Sequence, residues 1–194
     1  MSCGPPASPP ESSANSGCEP HRSRPPAVAV YFVPMSQGID VTVAAITERS
    51  GRFLMVEEQV AGQAVINQPA GHLEPGESLV EAVIRETLEE TAWALEPEAV
   101  TGIYLWQTPD QSRSFLRVAF AGQCRGHDAE RQLDTGIIAA HWLSRDEIHA
   151  QAMRLRSPMV MRCIDDYLAG IRYPLDCLTQ IDTTSPLQAL SAAG

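Results

Sequence analysis

An α/β fold, with a mixed β-sheet covered by helices, is predicted from three observations in this sequence. Short apolar strand patterns bounded by turn residues recur between Ile39 and Leu143. One strongly amphipathic helix interrupts them after Ser78, and helical signals return after Ser144. Taken in order, Val41–Ile46 reads as the first strand. Ser50-Gly51 reads as a turn and Phe53–Glu57 as a second strand, so turn chemistry predicts that the two strands form a hairpin. A loop through Gly62 leads to Val65–Gln68. In the helix that follows, Ser78 and Glu81 have capping-box spacing, and the Glu77 carboxylate lies near the positive end of the helix dipole. Leu79, Val80, Val83, Ile84, Thr87 and Leu88 fall on one apolar face.

Beyond Trp93, strands are expected at Ala99–Gln107 and Ser114–Gly122, joined by a hairpin through Thr108-Pro109-Asp110. A loop over Arg125–Asp134 precedes a strand at Ile137–Leu143. Ser144-Arg145-Asp146-Glu147 has the pattern of a capped helix start. A last helix is expected from Ser157-Pro158, with proline in its first turn, to about Leu168, and Gly170 ends it. Residues 1–36 are a Pro-, Ser- and Gly-rich extension expected to be disordered, residues 37–180 form one domain, and residues 181–194 form a flexible tail. Met35 stands just before the first strand and is a candidate for the natural start.

The chain has 194 residues, enough for one domain with a sizeable core, and 44% of them are hydrophobic. A net charge of -10 argues against general nucleic-acid binding. It does not exclude a phosphorylated small molecule, because bound cations invert a local field. Cys3, Cys18, Cys124, Cys163 and Cys177 include no Cys-x-x-Cys pair, so neither a zinc site nor a redox motif is expected, and a reduced cytoplasmic location is the simple reading. No apolar run reaches membrane-spanning length. Ala27–Val33, which follows Arg22 and Arg24, is only seven residues long and ends at Pro34, so it is not read as a signal peptide.

The chemistry concentrates in residues 71–93. Glu86, Glu89 and Glu90 stand at i, i+3 and i+4, within roughly 100° of arc on a helix. Like charges this close repel, and an all-oxygen set is best offset by a hard divalent ion such as Mg2+ or Mn2+. Gly71, five residues, Glu77, seven residues, Arg85-Glu86, then Glu89-Glu90 resembles the Nudix box, G-x5-E-x7-R-E-U-x-E-E-x-G-U with U apolar. Thr87 replaces an aliphatic residue and can pack as Val would. Trp93 fills the last apolar slot. Ala92 replaces the second glycine, which suggests that the helix ends in a different turn.

Flanking stretches resemble a narrower group, the NudJ-type phosphatases. They are Asn67-Gln68-Pro69-Ala70-Gly71-His72-Leu73-Glu74, Trp106 with Thr108-Pro109-Asp110 and Phe115-Leu116-Arg117, Leu155-Arg156-Ser157-Pro158, and Arg172-Tyr173-Pro174-Leu175. This similarity runs from about Asp40 to Leu178. The resemblance implies a three-layer α/β/α sandwich around the mixed sheet. It also implies Mg2+-dependent hydrolysis, with orthophosphate release, of nucleoside tri- and diphosphates and of thiamine-type diphosphates, including that of hydroxymethylpyrimidine.

The same resemblance implies that Glu86, Glu89 and Glu90 hold the metal, helped by the backbone carbonyl near Gly71, and that Arg85 pairs with Glu77 to fix the loop on the helix. The general base is a carboxylate, for which Glu90 and Asp134 are both candidates. Arg117, Arg156 and Arg172 can fork a phosphate or serve as surface ion pairs. Trp106 and Phe115 can stack on a ring or simply pack. His72 stands beside the metal turn, where it contacts substrate or supports the loop. Trp142 is expected in the core, and Tyr173-Pro174 is expected to pin the C-terminal segment. The competing expectations are ADP-ribose or dinucleoside polyphosphate hydrolysis, and a nucleotide-binding module without turnover. Either way the partner is a small molecule and the protein is a monomer or homodimer, with no nucleic acid or membrane involved.

Overall fold

The computed structural model of the protein describes residues 38–181. The expected N-terminal extension, Met35 and the tail beyond Ile181 lie outside the described residues. In order, the strands are β1 (Ile39–Ile46), β2 (Glu48–Arg49), β3 (Arg52–Val60), β4 (Gln63–Asn67), β5 (Ala70–His72), β6 (Trp93–Gln107), β7 (Ser114–His127) and β8 (Ile137–Ser144). Helix α1 (Leu79–Thr91) lies between β5 and β6, and α2 (Arg145–Ala150) and α3 (Met159–Leu168) follow β8.

The strands form two four-stranded sheets. One has the order β5-β1-β7-β6, and in it β1 and β7 are parallel while the other neighbours are antiparallel. In the other, β3 pairs with β8 along one edge and with β2 and then β4 along the other. Side chains alternate across a strand, so β1, β3 and β7 each serve two cores. Val43, Ala45, Val118, Phe120 and Leu54 pack against Ala82 and Val83 of α1. Ile46, Ala119, Phe53, Met55 and Ile66 pack against Ile148 of α2 and Val160, Cys163 and Ile164 of α3. Helices on both faces of the strands give the expected three layers.

The hairpin expected between Val41–Ile46 and Phe53–Glu57 does not form. Its turn is present, with Ser50 at φ 52 and Gly51 at φ 76, but it joins β3 to the two-residue β2. β1 instead lies between β5 and β7 in the other sheet. The reason is burial: Val43–Ile46 are all shielded, and a strand covered on both faces takes an interior position that turn chemistry cannot specify. β6 also starts earlier than expected, at Trp93. It is an edge strand, where Pro97 costs no ladder bond, and the register shifts beside that proline.

Both capping boxes are present, Ser78 with Glu81 on α1 and Ser144 with Glu147 on α2. Thr87 is fully buried, as an aliphatic residue would be, and its hydroxyl donates to the Val83 carbonyl at 2.7 Å. Trp142 is half-buried and meets Trp93 edge-on at 5.8 Å. Tyr173 exchanges two 2.8 Å backbone bonds with Val100, pinning the C-terminal segment to β6.

The end of α1 corrects one expectation. Ala92 adopts the left-handed cap at φ 58, donating to the Leu88 carbonyl at 3.0 Å, so the turn is the kind a glycine would make, carried by an alanine. The methyl group strains this conformation. Ala92→Gly should therefore raise stability by about 0.5–1 kcal/mol, less than the full relief because glycine also loosens the unfolded chain. Denaturant titration measures this, and an unchanged or lower midpoint would contradict it.

Candidate active site

Strand register builds the site. On the face of the first sheet nearer α3, Thr42 stands opposite both His72 and Arg117, and Phe115 stands opposite Asp40 and Trp106. All of these but Asp40 lie along a cleft of about 360 Å³. Glu58, Asn67, Ser157 and Met159 complete one side of it. Gly71, Glu86 and Glu90 form the acidic end, and Thr108 and Arg113 stand near the aromatic pair.

At the acidic end, α1 presses against β5. A Cβ on Gly71 would come within 2.1 Å of the Glu86 carboxylate, so glycine is required for that approach. The Ala70 N–H donates to Glu90 Oε2 at 2.8 Å. Arg85 ties the helix to the turn, as expected. Its Nε and Nη2 grip the Glu77 carboxylate at 3.0 and 2.7 Å, Nη1 donates to Glu86 at 2.8 Å and to Glu89 at 3.1 Å, and Nη2 also reaches the His72 carbonyl at 3.1 Å. Glu77 accepts the Glu74 N–H at 2.7 Å, which closes the turn. The Arg85 guanidinium beside Glu77 holds that carboxyl below its usual range.

Two carboxyls are pushed the other way. Burial raises Glu86, against the opposing pull of Arg85. Burial pushes Glu90 up to about 9, with repulsion from Glu86, Glu58 and Asp134 adding to it. Asp134 adds a small repulsion to both glutamates but does not line the cleft. Its N–H donates to the Glu89 carbonyl at 3.0 Å, which sets the loop before β8 on the end of α1.

The sequence-based candidates separate at this point. Gly71, His72, Glu86, Glu90, Trp106, Phe115, Arg117 and Arg156 line the cleft. Glu89 turns toward Arg85, and Arg172 stands apart. Arg172 donates to the carbonyls of Tyr167 and Ile171 and lies 3.9 Å over the Tyr167 ring, so it finishes α3 rather than reaching the cleft. Among the described residues, no three His, Cys, Asp or Glu side chains stand as a ready-made ion site. Arg85 and the Ala70 N–H occupy the carboxylates instead. The donor set still fits a hard cation, because the half-buried Glu86 and the buried Glu90 are both raised by burial and by neighbouring carboxylates.

Sequence reasoning gave no site role to Glu58, Thr42, Asn67 or Ser157. Asn67 and Ser157 stand in the stretches that carry the narrower resemblance, and Glu58 is half of an acidic pair interrupting the apolar run of β3, whereas Thr42 leaves no local signal. A test follows from the Gly71 contact. Gly71→Ala should displace only the flexible end of Glu86, leaving the thermal midpoint within about 2 °C. It should weaken Mg2+ or Mn2+ binding at least about tenfold by titration calorimetry. Unaltered cation affinity would show that the approach of Glu86 to β5 is unimportant.

Comparison with known proteins agrees with this geometry. A family model described as the NUDIX domain matches residues 37–163. Phosphatase NudJ of Escherichia coli (strain K12) is 43% identical over 138 residues, covering 71% of this chain and 89% of that protein. A solved NUDIX hydrolase from Nitrosomonas europaea is 49% identical, covers 76% of this chain and all of its own, and superposes with a TM-score of 0.74. The solution structure of the E. coli ORF135 protein, at 23% identity and a TM-score of 0.56 over 69% of this chain and 91% of its own, shares the fold. On the match of family model, relatives and box geometry together, this chain belongs to the Nudix hydrolase family.

Proposed function

We propose that the protein is a Mg2+-dependent phosphatase of nucleoside tri- and diphosphates that releases orthophosphate, with thiamine diphosphate and hydroxymethylpyrimidine diphosphate as further substrates. The observation that carries this reading is a cleft with the carboxylates of Glu86 and Glu90 at one end and a stacked aromatic pair along its wall. Trp106 and Phe115 lie 5.7 Å apart at 23°. The phosphatase name of a relative at 43% identity supports the release of phosphate.

Cleaving a phosphoanhydride needs neutralised oxygens, an activated water and in-line geometry. Mg2+, held by Glu86 and Glu90 with Glu89 and the carbonyl near Gly71, would supply the first and lower the pKa of bound water. The chain does the rest. Arg85 and Glu77 hold the turn against α1. Arg156, exposed at the cleft and 3.7 Å from Glu58, is placed to exchange that loose pairing for a phosphate. His72 flanks the glycine turn, and the rings of Trp106 and Phe115 give a heterocycle a flat surface. Glu90, at the cleft, and Asp134, on the loop held to the end of α1, are the two candidates for the general base. No helix among the described residues is long and apolar enough to cross a membrane. A cytoplasmic monomer or homodimer completes the reading.

A hydrolysis panel with product identification tests it, with and without Mg2+. Nucleoside di- and triphosphates should release orthophosphate only with the ion, and Glu86→Gln should lower turnover at least about a hundredfold. Turnover confined to ADP-ribose or dinucleoside polyphosphates would overturn the substrate class. Binding without turnover would favour a sensor.

A further inference from the structure

The hairpin loop that joins β6 to β7 is held by its own side chains and ends on Arg113. The Thr108 N–H donates to the Arg113 carbonyl at 3.0 Å, and the Arg113 N–H donates to Thr108 Oγ1 at 3.1 Å. Inside the loop the Asp110 carboxylate accepts the Thr108 hydroxyl at 2.6 Å, and the Ser112 N–H and hydroxyl at 3.1 and 2.9 Å. A loop whose polar groups are satisfied internally holds its ends in place. Arg113 therefore leaves it at a fixed point, on the aromatic part of the cleft wall.

Its side chain is fixed as well. Nε and Nη2 donate to Asp40 Oδ2 at 3.1 and 2.8 Å, and the guanidinium carbon lies over the Phe115 ring, 4.8 Å from its centre. Strand register settles the order of these groups. Asp40, Phe115 and Trp106 stand directly opposite one another on β1, β7 and β6, so Asp40 and Trp106 flank Phe115 on opposite sides. Trp106 stacks on Phe115 at 5.7 Å and 23°. The Phe115 ring is thus covered by a cation on the β1 side and by the indole on the β6 side. A heterocycle inserted between two rings needs about 7 Å, two contacts of about 3.5 Å, so Trp106 and Phe115 leave no slot for one.

We infer that Arg113 and Asp40 are positioning residues for the ring of the substrate: Arg113, pinned by Asp40, holds Phe115 against Trp106, so that the two rings act as one stacking surface. This rests on the nucleotide reading above and adds two residues to it. Asp40 does not line the cleft, so it acts through Arg113. Its other carboxylate oxygen stands 3.9 Å from His72 Nε2, beside the glycine turn. The row Phe115, Arg113, Asp40, His72 ties the ring surface to the acidic end. Stacking of this kind accepts any base, because every base has a π face.

Equilibrium binding of AMP tests the inference without relying on turnover. AMP is titrated calorimetrically into the full chain, into Arg113→Met, Asp40→Ala and Phe115→Leu, and into the double variants that combine Arg113→Met with each of the other two. Arg113→Met should weaken AMP binding at least about threefold, the scale of a cation–π contact, and Asp40→Ala should do so by a similar factor. Neither double variant should be weaker than the weaker of its two single variants, because each residue acts through the next. Unchanged affinity in Arg113→Met, no binding of AMP to the wild type, or a full further loss when Arg113→Met is added to Phe115→Leu would overturn the inference. The last result would make Arg113 a direct contact. The two proposals fail separately. Mg2+-dependent hydrolysis of nucleoside triphosphates with AMP affinity untouched by Arg113→Met would leave the hydrolase reading standing and remove this one. AMP binding that depends on Arg113 through Phe115, with no triphosphate cleaved, would do the reverse.

Discussion

The repulsion among carboxylates on one turn of α1 is the constraint on which the site depends. Glu86, half-buried, and Glu90, buried, stand against β5, where burial raises both, Glu89 and Asp134 add to Glu86, and Glu86, Glu58 and Asp134 add to Glu90. Such a cluster does not stabilise a fold by itself. It persists because Arg85 bridges Glu77, Glu86, Glu89 and the His72 carbonyl, and because the Ala70 N–H holds Glu90. Gly71 permits the close approach. The turn, the glycine and the helix are therefore one unit, and the spacing of the box is the spacing that this unit needs.

The sheets then aim everything else at the unit. β5 carries the glycine turn, β1 and β7 place Thr42, Phe115 and Arg117 on one face, and β6 adds Trp106 to the row. The chain from β8 into α3 closes the far side with Arg156 and Ser157. The cleft is thus acidic at the end formed by α1, and aromatic with Arg113, Arg117 and Arg156 along the rest of it.

Features set by neighbours in sequence were legible. The capping boxes, the apolar stripe of α1, the Arg85–Glu77 pair and the acidic cluster all follow from spacings of a few residues. Features set across the fold were not. The partner of β1 depends on burial of both its faces, and turn chemistry at Ser50-Gly51 points to the wrong strand. Thr42 is ordinary in sequence, and only strand register brings it beside Arg117. Arg172 fits a motif but is drawn to the end of α3 by Tyr167. Ala92 shows the limit of reading a substitution locally, since the rest of the helix imposes the left-handed cap on a residue that disfavours it.

The most direct test of the central claim is calorimetric titration of Mg2+ into the protein between pH 7 and pH 9, in buffers of different ionisation enthalpy, with Glu90→Gln alongside. Glu90, pushed up to about 9, carries its proton at neutral pH and must release it to bind a cation. The account predicts tighter binding as pH rises, release of up to about one proton per chain at neutral pH, and loss of that release in the variant. Proton release identical in wild type and variant, or no cation binding at all, would contradict the claim that this cluster is a cation site.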